Sequence, residues 1–285
     1  MTLNMMMKIV EKSILADTSG VKIVRLEVFF PSVAQKIKPG QFVVVMAAQE
    51  GERIPLTVVD KDIAKGTIIL IVQEAGFTTR LIGKLNPGDS FYALLGPLGQ
   101  ATPIKRYGKV VLVGGGVGIA EIYPVAKALK EAGNQVEIIV GAKERDLLIL
   151  ERELKAASDR FFVATDNGSY GQRGFTTDIL KELLLKKDEK YDLVYAVGPI
   201  PMMEKVSLIT KDIGIKAIVC LNALMVDGTG MCGCCRVSIG GKTKFSCIDG
   251  PDFDAHLVDW QELEARNRIY QEKEKHICNL YKSND

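Results

Sequence analysis

Between residues 8 and 101 the chain alternates short runs rich in Val, Ile and Phe with turn signals at Thr18 to Gly20, Pro39-Gly40, Gly51, Lys65-Gly66 and Pro87-Gly88. That rhythm predicts an all-β unit, a small barrel. At Lys109 the pattern changes. An apolar strand, Val110 to Val113, runs into glycines 114, 115, 116 and 118 and then a helical pattern ending near Gly133. Val136 to Val140, Arg160 to Ala164 and Leu193 to Val197 are further strands with helical stretches around them, which predicts an α/β unit on a parallel sheet. After Val219 a cysteine-rich loop begins, and residues 260 to 281 form a charged helical tail.

Composition narrows the classes of function. With 285 residues, 47% of them hydrophobic, the chain can bury a substantial core and divide into two or three modules. A formal net charge of +2 gives no support to nucleic-acid binding. No basic, apolar leader opens the sequence, and no run approaches a membrane span, so a cytoplasmic, reducing location is expected, without membrane attachment. The two histidines, His256 and His276, sit in no triad-like motif, so no catalytic acid-base residue is assigned.

The cysteine loop carries the strongest chemistry. Cys232, Cys234, Cys235 and Cys247 crowd a glycine-rich stretch, and thiolates held close by a backbone without bulky side chains suit a soft metal centre. A structural zinc site is the alternative. Elsewhere, Arg53 and Thr57 fall on one face of an extended segment with Pro55 between them, suited to a phosphate and a ring system. Gly76, Thr78 and Thr79 precede an apolar helical turn whose start can hold an anion. Gly114 to Gly118 follow a buried strand, with Ile119 where the usual dinucleotide fingerprint has its third glycine; such a loop is either a nucleotide site or a tight turn. Asp166 with Asn167, and Gly198 with Pro199, end other strands, so all three loops are expected at the carboxyl edge of one sheet.

In this order the motifs resemble the ferredoxin-NADP reductase superfamily, in its branch with an appended [2Fe-2S] domain. They are Arg53 to Thr57, Gly96 to Gly99, Gly114 to Ala120, Thr165 to Gly171, Gly198-Pro199 and the cysteine loop. The resemblance implies a multi-domain chain: a β-barrel flavin domain at 1–102, an α/β parallel-sheet nucleotide domain at 103–220, and a small C-terminal [2Fe-2S] domain with its helix at 221–285. It implies FAD along Arg53, Pro55, Leu56, Thr57 and Val58, with Gly76, Thr78 and Thr79 at the pyrophosphate. NAD(H) would lie over Gly114, Gly115, Gly116, Gly118, Ile119 and Ala120, with Gly141, Ala142, Asp166, Asn167, Gly198 and Pro199 nearby. Many members have Cys before that last Gly-Pro; this chain has Val197, so no thiol can touch the nicotinamide there.

Two branches of the superfamily compete. Electron-transfer subunits of dihydroorotate dehydrogenase resemble a four-cysteine pattern whose first position is Asp227 here. The stretch from Leu221 to Cys232 is similar instead to the small subunits of the electron-bifurcating, NADH-dependent reduced ferredoxin:NADP oxidoreductases, which implies Asp227, Cys232, Cys235 and Cys247 as cluster ligands. Cys234 is the rival fourth ligand, although neighbouring side chains at 234 and 235 point apart. The same resemblance implies a heterodimer with a larger subunit carrying flavin and [4Fe-4S] clusters, and through it ferredoxin and NADP(H). Lys143 and Arg145 leave NADP open as the nucleotide.

Overall fold

The computed structural model describes residues 7–49, 51–186 and 188–282. Six antiparallel strands form the first unit: β1 (Lys8–Thr18), β2 (Val21–Phe29), β3 (Phe42–Met46), β4 (Arg53–Asp62), β5 (Thr67–Gln73) and β6 (Ala93–Leu98), in the order β1-β2-β5-β4-β3-β6. Backbone bonds between Ile9 and Asp89 (2.8 Å) and between Phe91 and Met7 (3.1 Å) bring the two edges together, so the sheet closes as a barrel and leaves no long edge unpaired. Inward residues such as Val24, Leu26, Val43, Val45, Val58 and Leu70 fill it. Helices α1 (Pro31–Lys36) and α2 (Phe77–Lys84) pack into the same core through Val33, Ala34 and Ile82.

The second sheet uses β7 (Lys109–Gly115), β8 (Gln135–Ala142), β9 (Arg160–Thr165), β10 (Gln172–Arg173), β11 (Leu193–Val197) and β12 (Ala217–Cys220), all parallel, in the order β10-β9-β8-β7-β11-β12. Helices α3 (Gly118–Glu131), α4 (Glu151–Ala156), α5 (Thr176–Leu184) and α6 (Ile200–Ile213) cover both faces, which is why β7 and β11 are continuous apolar runs. Alternation splits the residues of β7 between two cores. Val111 and Val113 pack with α5 and α6, whereas Val110 and Leu112 pack with α3. The second of these cores also takes Ala16, Ile23, Val59 and Ile71 from the barrel, so barrel and sheet share one apolar interior.

The C-terminal segment holds a small hairpin, β13 (Arg236–Ile239) with β14 (Lys242–Phe245), a short α7 (Ser246–Asp249), and then β15 (Asp252–Asp254). β15 pairs antiparallel with β12 and becomes the seventh strand of the central sheet. The division expected at residue 221 therefore does not separate two cores: Leu221, Ala223, Met225, Cys235, Cys247 and Phe253 are buried with Val113 and Ala196. A three-residue strand is too short for periodicity to reveal. Helices α8 (Trp260–Asn267) and α9 (Gln271–Lys282) form the tail; no helix among the described residues is long and apolar enough to cross a membrane.

Candidate functional site

Strand order reverses between β7 and β11, and the loops that leave these two strands meet there. A side chain on Gly118 would bring its Cβ within 2.5 Å of the Val197 carbonyl, so the first turn of α3 can lie against the end of β11 only as glycine. Gly116 differs. Its φ is +58°, yet no protein atom lies within 4 Å of where a Cβ would stand, so its backbone is bare toward open space. That space is a cavity of about 660 Å³ lined by Gly115, Gly116, Gly141, Ala142, Lys143, Asp166, Phe175, Thr176, Pro199, Met202 and Lys205 among others.

A second cavity, about 360 Å³, lies between the barrel and the start of α3. Ile54, Pro55, Leu56, Thr57 and Val59 of β4 form one wall, Ala75 and Thr79 another, and Val117, Ala120 and Glu121 close it. Gln73 belongs to the walls of both cavities, so the two adjoin there.

Several expected contacts lie elsewhere. Val58 is 4% exposed and belongs to the barrel core, on the face of β4 opposite Thr57; Val59, which alternates with Thr57, lines the cavity instead. Arg53 is exposed at the start of β4, beyond the cavity lining. Thr78 is buried and its hydroxyl donates to Glu52 (2.7 Å), whereas Thr79 reaches the cavity and its hydroxyl accepts from the Gly76 amide (2.9 Å). Gly76 has no protein atom against its Cβ position. Ile119 is fully buried and Gly114 would meet Ile122, so both are packing positions behind the loop. Asn167 caps its own turn, accepting from the Ser169 amide (2.9 Å), and Gly198 packs on Met202.

Glu121 is the residue that sequence reasoning missed. It sits in the first turn of α3, and the Thr57 hydroxyl donates to its Oε2 at 3.1 Å. Burial pushes its carboxyl up to about 7, opposed by the Thr57 bond and helped by the charge of Asp252. Asp252 is itself raised to about 6 by burial, while Thr102 (2.6 Å) and Tyr195 (3.0 Å) donate to it. The only sequence signal was an acidic residue opening an otherwise apolar helix, which a favourable helix dipole explains equally well.

In the cysteine loop, Cys235 and Cys247 are buried with their sulfurs 3.2 Å apart. Backbone amides point at sulfur: Cys234 N–H donates to Cys232 Sγ and Cys247 N–H to Cys235 Sγ, both at 3.4 Å. Asp227 ties the loop, accepting from the amides of Thr229 (2.8 Å) and Cys232 (2.9 Å). The described residues contain no ready group of three His, Cys, Asp or Glu at metal-binding spacing; ligand thiols must lose their protons to bind, and closure of such a loop is coupled to that step. Cys234 turns its carbonyl to Arg266 (3.0 Å), Cys220 is a buried thiol of β12, and His256 bonds Thr210 (2.9 Å) as a structural residue. The side chain of Cys278 lies outside those described. The loop rests on the barrel. A Cβ on Gly228 would stand 2.7 Å from Val44 of β3, and Val44 pairs across the sheet with Pro55 of the cavity wall.

Comparison with known proteins agrees with this geometry. Residues 112–207 match the oxidoreductase NAD-binding domain, and residues 222–259 match the iron-sulfur cluster binding domain of dihydroorotate dehydrogenase B. A homolog of the dihydroorotate dehydrogenase B (NAD(+)) electron transfer subunit from Thermotoga maritima is 47% identical over 86% of this chain and 86% of its own length. The chain belongs to this family of electron-transfer subunits. The family member from Geobacillus thermodenitrificans, an electron transfer subunit of dihydroorotate dehydrogenase B (NAD(+)), is 34% identical over 79% of this chain and 88% of its own. A solved chain from a study of flavin-based electron bifurcation in NADH-dependent reduced ferredoxin-NADP oxidoreductase superposes with a TM-score of 0.90 at 41% identity. It covers 97% of this chain and 98% of that one. The protein is thus an oxidoreductase subunit of the ferredoxin-NADP reductase type, with FAD, an iron-sulfur cluster and NAD(H) as its cofactors.

The described residues fit such cofactors. The bare glycine backbone at Gly116 is the kind of surface a pyrophosphate needs, and amide-to-sulfur bonds with left-handed glycines at 228, 230 and 233 are what a wrapped cluster needs. The curated relatives are themselves named as electron transfer subunits.

Proposed function

We propose that this subunit exchanges hydride with NAD(H) and passes single electrons to a larger flavin and [4Fe-4S] subunit that couples NADP(H) and ferredoxin. Flavin, when bound, trades electrons singly or in pairs, which joins hydride chemistry to one-electron chemistry. The chain's part is placement. Pro55, Leu56, Thr57, Val59 and Thr79 hold the flavin, with Arg53 available to its phosphates at the exposed end of β4. Gly115, Gly116, Gly141, Ala142, Asp166 and Pro199 hold the nucleotide. Gln73 stands where the two cavities adjoin, so orientation of the two rings rests on stacking and packing. Asp227, Cys232, Cys235 and Cys247 are the iron ligands of the reading.

The observation that supports this reading is the contact of the cysteine loop with Val44 of β3, whose cross-strand partner Pro55 lines the cavity read as the flavin site, so loop and cavity lie against neighbouring strands about 5 Å apart. The full-length likeness to the NADH-dependent reduced ferredoxin-NADP oxidoreductase chain, with Asp at 227, supports a bifurcating partner. Of the two cations after β8, Lys143 lines the nucleotide cavity, where it could meet a 2′-phosphate, while Arg145 lies over the Tyr170 ring at 5.3 Å; the choice of NAD(H) rests on the likeness to the NADH-dependent chain. Co-purified heterodimer should reduce NADP only when NADH and reduced ferredoxin are both supplied; indifference to ferredoxin removes the reading. The relatives' names favour a second one, service to dihydroorotate oxidation. It requires that orotate formation by a partner dehydrogenase depend on this chain.

A further inference from the structure

Oxidation of NADH at a one-electron exit leaves a proton behind. NADH becomes NAD⁺ by giving up a hydride, which is two electrons and one proton. An iron-sulfur cluster accepts the electrons one at a time and no proton, so one proton per nicotinamide has to be taken up by the pocket before it reaches water. The two adjoining cavities are walled mainly by apolar side chains and backbone on the barrel side, and Thr57 with Glu121 is the hydrogen-bonded pair there that includes an ionisable group.

We propose that Glu121 is the proton-accepting positioning residue of this pocket, acting through the Thr57 hydroxyl. The Thr57 Oγ1–H bond to Glu121 Oε2 (3.1 Å) is already aimed for the transfer. When the hydroxyl oxygen takes the proton that NADH delivered with its hydride, the proton already on Thr57 Oγ1 passes to Glu121 Oε2; the donor's bond to the incoming proton and the old Oγ1–H bond break as the new Oγ1–H and Oε2–H bonds form. The two electrons leave singly for the cluster and then for the partner subunit, so charge balances at one proton on Glu121 per NADH consumed. Two properties of the site suit this. Glu121 is half-buried and lines the flavin cavity itself, so a bound ring would cover it and isolate the pair from bulk water. Its carboxyl is held near neutrality, where it can accept and release a proton without a large penalty either way.

The ionisable groups near Glu121 set its response to pH. Asp252, on β15, faces it across the junction of barrel and sheet and raises its affinity for a proton; Cys220, on β12, is the other titratable group in electrostatic reach. Asp252 is held by Thr102 from the segment after β6 and by Tyr195 from β11. β15 follows directly on the cysteine loop, so the group that biases Glu121 is carried by the same short segment that presents Cys247.

The proposal rests on the electron-transfer reading above, and its test separates the two. The holoprotein is mixed with NADH in a stopped-flow instrument and cluster reduction is followed across neutral pH for wild type, E121Q and T57V, with reduced-minus-oxidised infrared spectra of the same proteins. Glutamine keeps the acceptor for Thr57 but cannot take a proton; T57V cuts the link and leaves Glu121 in place. In wild type the rate should rise with pH through about 7, as the carboxylate form becomes available. Both variants should lose that dependence and slow about 10²-fold, and a protonated-carboxyl band that appears on reduction should be missing in E121Q. Variants whose pH profiles superpose on wild type, or an unchanged carboxyl band in E121Q, overturn the proposal while leaving the electron path intact. A wild-type cluster that NADH never reduces overturns the electron-transfer reading and this proposal with it.

Discussion

Gly228 of the cysteine loop lies so close to Val44 of β3 that a Cβ on the glycine would stand 2.7 Å from Val44 Cγ2, and its φ of +72° is one that side-chained residues rarely adopt. Strain and overlap act together, so G228A should destabilise the protein by about 1–3 kcal/mol. Thermal unfolding measures that loss. Because the loop must shift away from the barrel, reduction of the cluster by the flavin should slow as well; a G228A variant as stable and as fast as wild type would show that the contact does not join the two.

Ligand identity is tested by iron content. C235S and C247S remove buried sulfurs 3.2 Å apart and should abolish cluster binding. C234S should retain it, since that residue's carbonyl is engaged by Arg266 and its neighbour already faces the core. D227C should keep two irons per chain and change the reduction potential, because a thiolate replaces a harder donor on one iron. Iron retained in C235S, or lost in C234S, exchanges the two assignments.

Two glycines of one loop should behave oppositely. G118A forces a Cβ to within 2.5 Å of the Val197 carbonyl, a backbone atom that cannot swing aside, and should cost about 3 kcal/mol of stability. G116A meets no protein atom and carries only the left-handed strain of about 1–2 kcal/mol. Its larger effect should fall on NADH: KM rises several-fold while the fold survives, as read by steady-state reduction of a dye acceptor.

Acid stability should depend on one surface ion network. Lys109, Tyr191 and Arg160 all donate to Glu189 and hold its carboxyl down to about 2, below its ordinary 4.5. A depressed folded value stabilises above the unfolded one, so this contribution is complete above about pH 4.5 and is lost as pH falls toward about 2. E189Q should flatten that part of the curve of unfolding temperature against pH. An unchanged acid limb in E189Q would place the sensitivity elsewhere.

Much of this layout was visible in the residues. The turns at Gly20, Gly40, Gly66 and Gly88 all adopt positive φ, which glycine allows, and β7, β8, β9 and β11 begin and end within two residues of the apolar runs that predicted them, whereas the two-residue, polar β10 left no such run. What was hidden has physical causes. Val58 follows Thr57 in the family motif, but period two carried on from Thr57 puts Val59 on the cavity face and Val58 in the barrel core. β15 is too short to read. Glu121 becomes notable only when the fold brings Thr57, 64 residues earlier, to its carboxylate. The nucleotide cavity likewise recruits Phe175, just before α5, and Met202 and Lys205 of α6, none of which belongs to a glycine motif.

The central claim is that electrons from NADH cross this chain to an iron-sulfur centre. Anaerobic addition of NADH to the purified protein, followed by electron paramagnetic resonance at low temperature, tests it directly. The account predicts bleaching of the flavin together with the signal of a reduced [2Fe-2S] cluster. A protein that carries zinc in place of iron, or whose cluster stays silent while NADH is present in excess, contradicts it.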